Sequence, residues 1–339
     1  MDLATLKLKF RDRLDEMALL VERTNKSSVL IVQQFPHDKD KDILLPRVRE
    51  SISNIIAFVE LGNAETLHYV LDQCDGVVDV IAIDADIKCA ASAALVSIAK
   101  SQAKQSRLFF YSDTTTWAES AINFIQNIED GLLDKNILVG GKGLLCNKLI
   151  RGMCDFGARV FWYNPSWGPE ASESDAPLQY RNAVDAIGDD FDFAGMDIII
   201  GAAIKEESIP QQIIANCKEE LNAYDIGIGN FSLKTIAALE NRNCKVYRLD
   251  NRAGISSTVL GLLETEYLIK EMMGSITIKG VELVAAGVMG HRGAIIVDSI
   301  RDPSYIVGIA NGKGRLNLVP QTPDEENSIR FVEKLIAKP

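Results

Sequence analysis

The sequence predicts an α/β protein: an N-terminal α/β domain, a Rossmann-like doubly wound parallel sheet, and an antiparallel β addition at the C-terminal end. Three observations predict it. Short β-branched runs alternate with helical segments through the first 250 or so residues, the mark of βαβ crossovers. A glycine-rich turn stands between the strand at 136–140 and a helix, as dinucleotide sites require. After Gly274 the pattern changes to short β-type runs separated by turn residues. The expected division is a substrate domain at 1–133, a Rossmann-like dinucleotide-binding domain at 134–255, and a returning helix with antiparallel strands at 256–339.

Leu3, Leu6, Phe10, Leu14, Met17 and Val21 recur at three- and four-residue intervals and predict an opening amphipathic helix. Residues 28–32 form a β-branched strand that runs into a charged loop at 33–42 containing Pro36. The following elements are a helix from about Leu45, a strand at 55–59, a helix at 64–74, a strand at 77–83, a helix at 89–100 and a strand at 107–111. Thr114 to Thr116 are expected to cap a helix at 117–133 that bridges the domains.

The second series holds a helix at 144–156 and a strand at 158–163, then a loop rich in Pro, Ser, Glu and Asp at 164–177. Further strands are expected at 197–200, 223–228 and 245–249. A helix from Ile255 to about Met273 is placed to return toward the first domain. Strands at 281–288, 294–299 and 306–309, and a helix at 323–338, complete the chain.

The 339 residues, 47% apolar and 24% charged, exclude disorder and fibre. With 36 Lys and Arg against 47 Asp and Glu, the formal charge of −11 repels polyanions, so neither nucleic acid nor an anionic membrane is an expected partner. A small-molecule substrate is. The first twenty residues interleave Lys7, Lys9, Arg11, Asp12, Arg13, Asp15 and Glu16 with apolar residues, which is not an export signal. Asp79, Asp84, Asp86 and Lys88 interrupt the most apolar later stretch, so no lipid-spanning helix is expected. The six cysteines form no C-x-x-C pair and only three histidines could join them, so no metal site is expected. Reduced core thiols point to the cytoplasm.

The sharpest motif is Gly141-Lys142-Gly143-Leu144-Leu145-Cys146, in which Gly141, Gly143 and Cys146 occupy the places of G-x-G-x-x-small. The first glycine allows a tight turn, the second lets a pyrophosphate approach backbone, and the third place needs a small side chain for helix against strand. NAD or NADP is the implied cofactor. Gly141, Lys142, Gly143 and Leu144 are its candidate ligands, with Asn164 and Ser166 after the next strand and Ala202 and Gly229 beyond later ones. Asn164 stands where an acidic residue for the ribose is usual, and no Arg follows, so the choice between the two cofactors stays open.

Lys88 and Asp113 follow consecutive strands and are the candidate acid/base pair for oxidation at a carbon bearing OH or NH₂. The plainer reading makes Asp84, Asp86 and Asp113 helix caps. Arg252, in a polar turn after a strand, is suited to clamp a substrate carboxylate, with a surface ion pair as the alternative; Asn251 and Thr115 are further substrate-binding candidates. His37 reads as solvated, His68 as a helix-face residue and His291 as part of a hairpin turn.

An α/β first half, the segment Ser112-Asp-Thr-Thr-Thr-Trp-Ala-Glu119 and then Asn136-Ile-Leu-Val-Gly-Gly-Lys-Gly143 resemble the two-domain amino-acid-dehydrogenase-like superfamily. That superfamily includes shikimate dehydrogenase, methylenetetrahydrofolate dehydrogenase and pyrrolysine synthase, the last most similar in layout through Val80-Ile-Ala-Ile-Asp-Ala-Asp86 and Arg252-Ala-Gly-Ile-Ser-Ser-Thr258. The resemblance covers roughly residues 28–273. It implies hydride transfer between NAD(P) and a small amino- or hydroxy-bearing carboxylate in an interdomain cleft, in a homodimer. Asp113 stands in a place similar to the catalytic Asp of shikimate dehydrogenase; Lys88 matches that family's Lys only in lying at the preceding strand-helix junction. A non-catalytic nucleotide- or metabolite-binding protein is the alternative, and a structural subunit using the C-terminal strands is a third.

Overall fold

A computed structural model describes residues 3–34, 43–61, 64–88, 92–163, 184–187, 191–203 and 207–337. The chain forms two compact units, Met1–Thr258 and Val259–Pro339.

The first unit opens with α1 (Leu3–Thr24), β1 (Ser27–Gln34), the short β2 (Ile43–Leu44) and β3 (Arg49–Glu50), and β4 (Asn54–Leu61). Then come α2 (Ala64–Cys74), β5 (Val80–Asp84), α3 (Ser92–Gln102), β6 (Arg107–Tyr111) and α4 (Asp113–Ile128). Strands β4, β1, β5 and β6 lie parallel in that order, with β2 and β3 antiparallel to β4. Phe10, Leu14 and Met17 of α1 pack with Leu67, Val70 and Leu71 of α2 and with Leu30, Val32, Ile81 and Ile83 of the sheet. Alternate strand residues thus meet the helices, as a period of two demands.

The second series is β7 (Asn136–Gly140), α5 (Leu144–Asp155), β8 (Arg159–Tyr163), β9 (Val184–Ile187), β10 (Ile198–Gly201), α6 (Gln211–Ala215), β11 (Asn222–Asp225), α7 (Leu233–Glu240) and β12 (Lys245–Arg248). The order β9-β8-β7-β10-β11-β12, parallel throughout, is the doubly wound arrangement, with its switch point between β7 and β10. Ile137, Val139, Val160, Trp162, Ile198 and Ile200 face α4 and α5, whereas Leu138, Phe161, Tyr163 and Ile199 face α6 and α7. Covered on both faces, these strands read as continuous apolar runs.

Helix α8 (Ile255–Tyr267) continues into a π-helical turn, Leu268–Met272. The second unit adds β13 (Gly274–Ile278), β14 (Val281–Ala285), β15 (Ile295–Val297), β16 (Ile306–Ala310), β17 (Leu316–Asn317) and α9 (Pro323–Ile336). Its five strands pair in sequence order, and Val332 of α9 is buried with Leu283, Ala285, Ile295, Val297 and Ile309.

Four expectations need correction. No helix starts at Leu45: Pro46 disfavours a helix there, and β2 and β3 bind the edge of β4 on either side. The helix expected at 117–133 begins at Asp113, because Ser112 accepts the Thr115 amide and takes the capping role. The C-terminal sheet is mixed, since β14 and β15 run parallel, joined by a doubled-back loop with Ala286, Gly287 and Gly293 at positive φ. Strands β9, β13 and β17, too short or too polar to register as periodic, were not anticipated.

Candidate active site

Several strands of the first sheet carry a polar residue near the carboxyl end: Gln33 on β1, Glu60 on β4 and Asp84 on β5. Gln33 stands opposite Glu60, Asp84 opposite Tyr111, and the register of Val32 with Ile83 continues so that Gln33 is level with Asp84. A polar row therefore crosses four strands of the first sheet. In a parallel sheet, ligands gather at such carboxyl ends.

A cavity of about 530 Å³ opens beside this row within the first unit. Its first-sheet wall includes Gln33, Glu60, Asp86, Lys88 and Asp113; its second-sheet wall includes Lys142, Gly143, Leu144, Gly227, Asn251 and Arg252. Trp117 lines it as well and donates its indole N–H to the Leu249 carbonyl at 3.3 Å.

Lys88 Nζ lies 2.7 Å from Asp84 Oδ2 and 2.6 Å from Asp113 Oδ2. Asp113 Oδ1 accepts from Gln33 Nε2 at 2.9 Å and from Asn251 Nδ2, so β1 and the turn after β12 converge on one carboxylate. Asp113 is the first residue of α4, where a helix N-terminus favours negative charge. Burial pushes the Asp84 carboxyl up to about 6 against the lowering pull of Lys88. Burial also works to lower Lys88, but Asp113 and Asp84 outweigh it and hold the ammonium above the ordinary lysine value. One cation shared by two carboxylates leaves the desolvation cost on the fully buried Asp84. Asp86 is likewise partly desolvated, yet hydrogen bonds from Ser112 and Thr114 keep its carboxyl below the usual range.

At the end of β7 the chain turns through Gly141, φ +133°, and Gly143, φ +93°. A Cβ on Gly141 would lie 2.7 Å from the Ala203 nitrogen and 2.8 Å from the Ala202 carbonyl carbon. Gly143 faces open space and precedes α5 without a side-chain cap. The first amides of α5 have no partner one turn back, and Gly143, Leu144 and Leu145 line the cavity.

The cavity gathers Lys88, Asp113, Asn251, Arg252, Lys142, Gly143 and Leu144 from the expected residues. Arg252 turns Nε and Nη2 to Asp250 Oδ2, the ion pair that the sequence left as an alternative. Thr115 hydrogen-bonds Ser112 in the α4 cap; Ala202 is buried behind the glycine turn; Gly229 is exposed and donates its amide to Asp225. None of these three is among the lining residues, nor is Gly141, which shapes the turn from behind. Asn164, Ser166 and His37 lie outside the described residues. His68 bonds Gln102 on the exposed face of α2. His291, in the second unit, pairs with Glu282 at 3.2 Å.

Sequence reasoning missed Gln33, Glu60 and Trp162, expected Asn230 only as one of the cleft-lining residues, and left Asp84 as a cap. Asn230 Oδ1 accepts from the Ala203 amide and the Ser208 hydroxyl, while its Nδ2 donates to Ala203 O and Asp225 Oδ1. Polar residues closing an apolar strand, as Gln33 and Asp84 do, were the available signal. Among the described residues no group of His, Cys, Asp and Glu is placed to hold a metal ion, and no helix is long and apolar enough to cross a membrane.

No family model and no curated protein matches the chain. Among solved structures it is similar to shikimate dehydrogenase from Aquifex aeolicus, with 14% identity over 70% of this chain and 92% of that one and a TM-score of 0.42. It is also similar to a hetero-hexameric glutamate dehydrogenase from Thermus thermophilus (10% identity, 71% and 68% covered, TM-score 0.41). A bifunctional methylenetetrahydrofolate dehydrogenase/cyclohydrolase from Campylobacter jejuni matches at 10% identity over 77% and 97%, with a TM-score of 0.36.

Proposed function

We propose that the chain is an NAD(P)-dependent oxidoreductase that transfers a hydride to or from a small carboxylate metabolite bearing an amino or hydroxyl group. The observation that carries this reading is that the Lys88–Asp113 pair and the uncapped start of α5 line the same cavity.

The residues present fit a dinucleotide. Gly141 lets the turn pack against the Ala202–Ala203 peptide, Gly143 leaves the space above it open, and the β7/β10 switch point places both at the sheet's carboxyl edge. Gly141, Lys142, Gly143 and Leu144 would hold the pyrophosphate. Asn164, Ser166, Ala202 and Gly229 are proposed for the rest of the cofactor. When bound, the nicotinamide supplies hydride transfer at C4.

This chain's own residues bind the substrate, orient it and handle the proton. Lys88 Nζ is placed to hydrogen-bond the reacting oxygen or nitrogen, and Asp113 to hold the Lys88 ammonium in position. Asn251 ties Asp113 to the second sheet, and Arg252 offers the guanidinium edge outside its pair with Asp250 to a carboxylate. Thr115 keeps the start of α4 in place.

Titration with NAD and with NADP, followed by intrinsic fluorescence and thermal midpoint, tests the reading: a saturable change with either supports it, and none with both sinks it. Lys88→Met and Asp113→Asn should then abolish turnover while leaving cofactor affinity within about twofold.

A further inference from the structure

Asp84 is wholly buried, yet it touches more of the site than a helix cap would. Its Oδ1 accepts the Asp86 amide at 3.0 Å and the Asp113 amide at 3.3 Å, so one carboxylate sets the backbone of both loops that bring acidic groups to the cavity. Its Oδ2 meets Lys88 Nζ. Gln34 Nε2 binds the Asp84 carbonyl, while Ser92 donates to Gln34 Oε1 and accepts the Lys88 amide, so the main chain from Asp84 to Lys88 is held at both ends.

We propose that Asp84 is a positioning residue that fixes Lys88 as a charged donor at the cavity, so that Lys88 gives a hydrogen bond to the substrate and does not begin the reaction as a free base. An ammonium has three N–H groups. Asp113 takes one as a hydrogen bond, Asp84 holds the charge as an ion partner at 2.7 Å, and the donor capacity that remains serves the cavity that Lys88 lines. A neutral amine there would leave two buried carboxylates facing each other without a cation, a costly arrangement in low dielectric. A charged donor suits polarisation of a carbonyl or imine bond in the oxidised substrate.

The ionisable groups that face Asp84 are Lys88 and Asp86 from its own loop, Asp113 from the start of α4 and Tyr111 from β6, with the Gln34 amide reaching its carbonyl from β1. The inference takes its substrate from the proposed function, but the geometry of Lys88 is independent of any ligand. Its test therefore uses neither cofactor nor substrate.

Protein labelled with ¹³C,¹⁵N-lysine is titrated by NMR, the Lys88 side-chain signal being assigned by its loss in Lys88→Arg. Lys88 should lose its proton at higher pH than the exposed lysines. It should also show a smaller shift centred near pH 6 as Asp84 takes a proton. In Asp84→Asn the acid shift should vanish and Lys88 should deprotonate at least one pH unit lower, a tenfold change; Asp84→Glu should restore part of both. An Asp84→Asn signal that titrates as in the unaltered protein overturns the proposal. If that variant does not fold, Asp113→Asn decides: the acid shift persisting there supports Asp84, and its loss there assigns the shift to Asp113 and overturns the proposal. Absence of NAD(P) binding would sink the oxidoreductase reading and leave these titrations unchanged.

Discussion

The indole Nε1 of Trp162 donates to the carbonyl of Gly141 at 2.8 Å, and the Gly141 amide donates to Tyr163 O at 3.0 Å. The end of β8 thereby clamps the first glycine of the turn from both polar groups. Trp162→Phe keeps an aromatic ring but orphans a buried carbonyl, which costs about 1–3 kcal/mol. Urea unfolding should detect that loss, and NAD(P) affinity should fall several-fold with helix content by circular dichroism unchanged.

Gly141 and Gly143 are required for different reasons, and alanine should separate them. At Gly141 a methyl meets the Ala202–Ala203 main chain, so β10's loop must shift. At Gly143 there is room, and the penalty is only the backbone conformation, φ 93° and ψ −175°, a region about 1–3 kcal/mol unfavourable for a residue with a Cβ. Gly141→Ala should therefore lower the thermal midpoint more than Gly143→Ala. An equal effect would mean that the close approach is not the controlling contact.

Asn230 joins the loops after β10 and β11 through four hydrogen bonds between 2.6 and 3.0 Å. Asn230→Ala leaves the Ala203 amide and Ser208 hydroxyl buried without that partner, at a cost of about 3 kcal/mol. Asn230→Asp should not rescue it, because the new charge faces Asp225. Chemical denaturation of the two variants checks both statements.

Asp84 gives stability a characteristic pH dependence. Burial raises its folded pKa to about 6, above the ordinary aspartate value of about 3.9, so the folded state binds the proton more tightly than the unfolded state. Its contribution is absent below about pH 4, turns against folding as pH rises from 4 to 6, and is fully unfavourable above 6. The size is on the order of 3 kcal/mol. The difference in unfolding free energy between the unaltered protein and Asp84→Asn should change across pH 4–6; a difference that stays flat there contradicts the assignment.

The layout was legible because periodicity reports burial. Val80 to Asp84 and Asn136 to Gly140 are apolar strands covered on both sides, and α1 and α9 are stripes with one buried face. Pro46 carried a signal against a helix that the apolar spacing around it obscured. Within the site, Lys88 and Asp113 could be named from residue type and from their place after consecutive strands. Gln33 and Glu60 carried only the signal of a polar residue closing an apolar strand, and that reads the same whether the side chain faces solvent or a neighbour's carboxylate. Arg252 looked like a clamp because an isolated Arg does; Asp250, two residues away, already occupies part of its fork.

Local chemistry, namely the spacing of apolar side chains and the glycine turn before α5, was enough to establish an α/β chain and to single out the turn at which a phosphate is proposed to bind. Which carboxylates share Lys88, which strand steadies Gly141 and which asparagine links two loops depended on chain crossings between residues far apart in order: Asp113 and Asn251 are 138 positions apart. Such partners are chosen by strand order and register, which bring distant polar atoms within hydrogen-bonding distance in a dry interior, and no short window of sequence encodes that proximity.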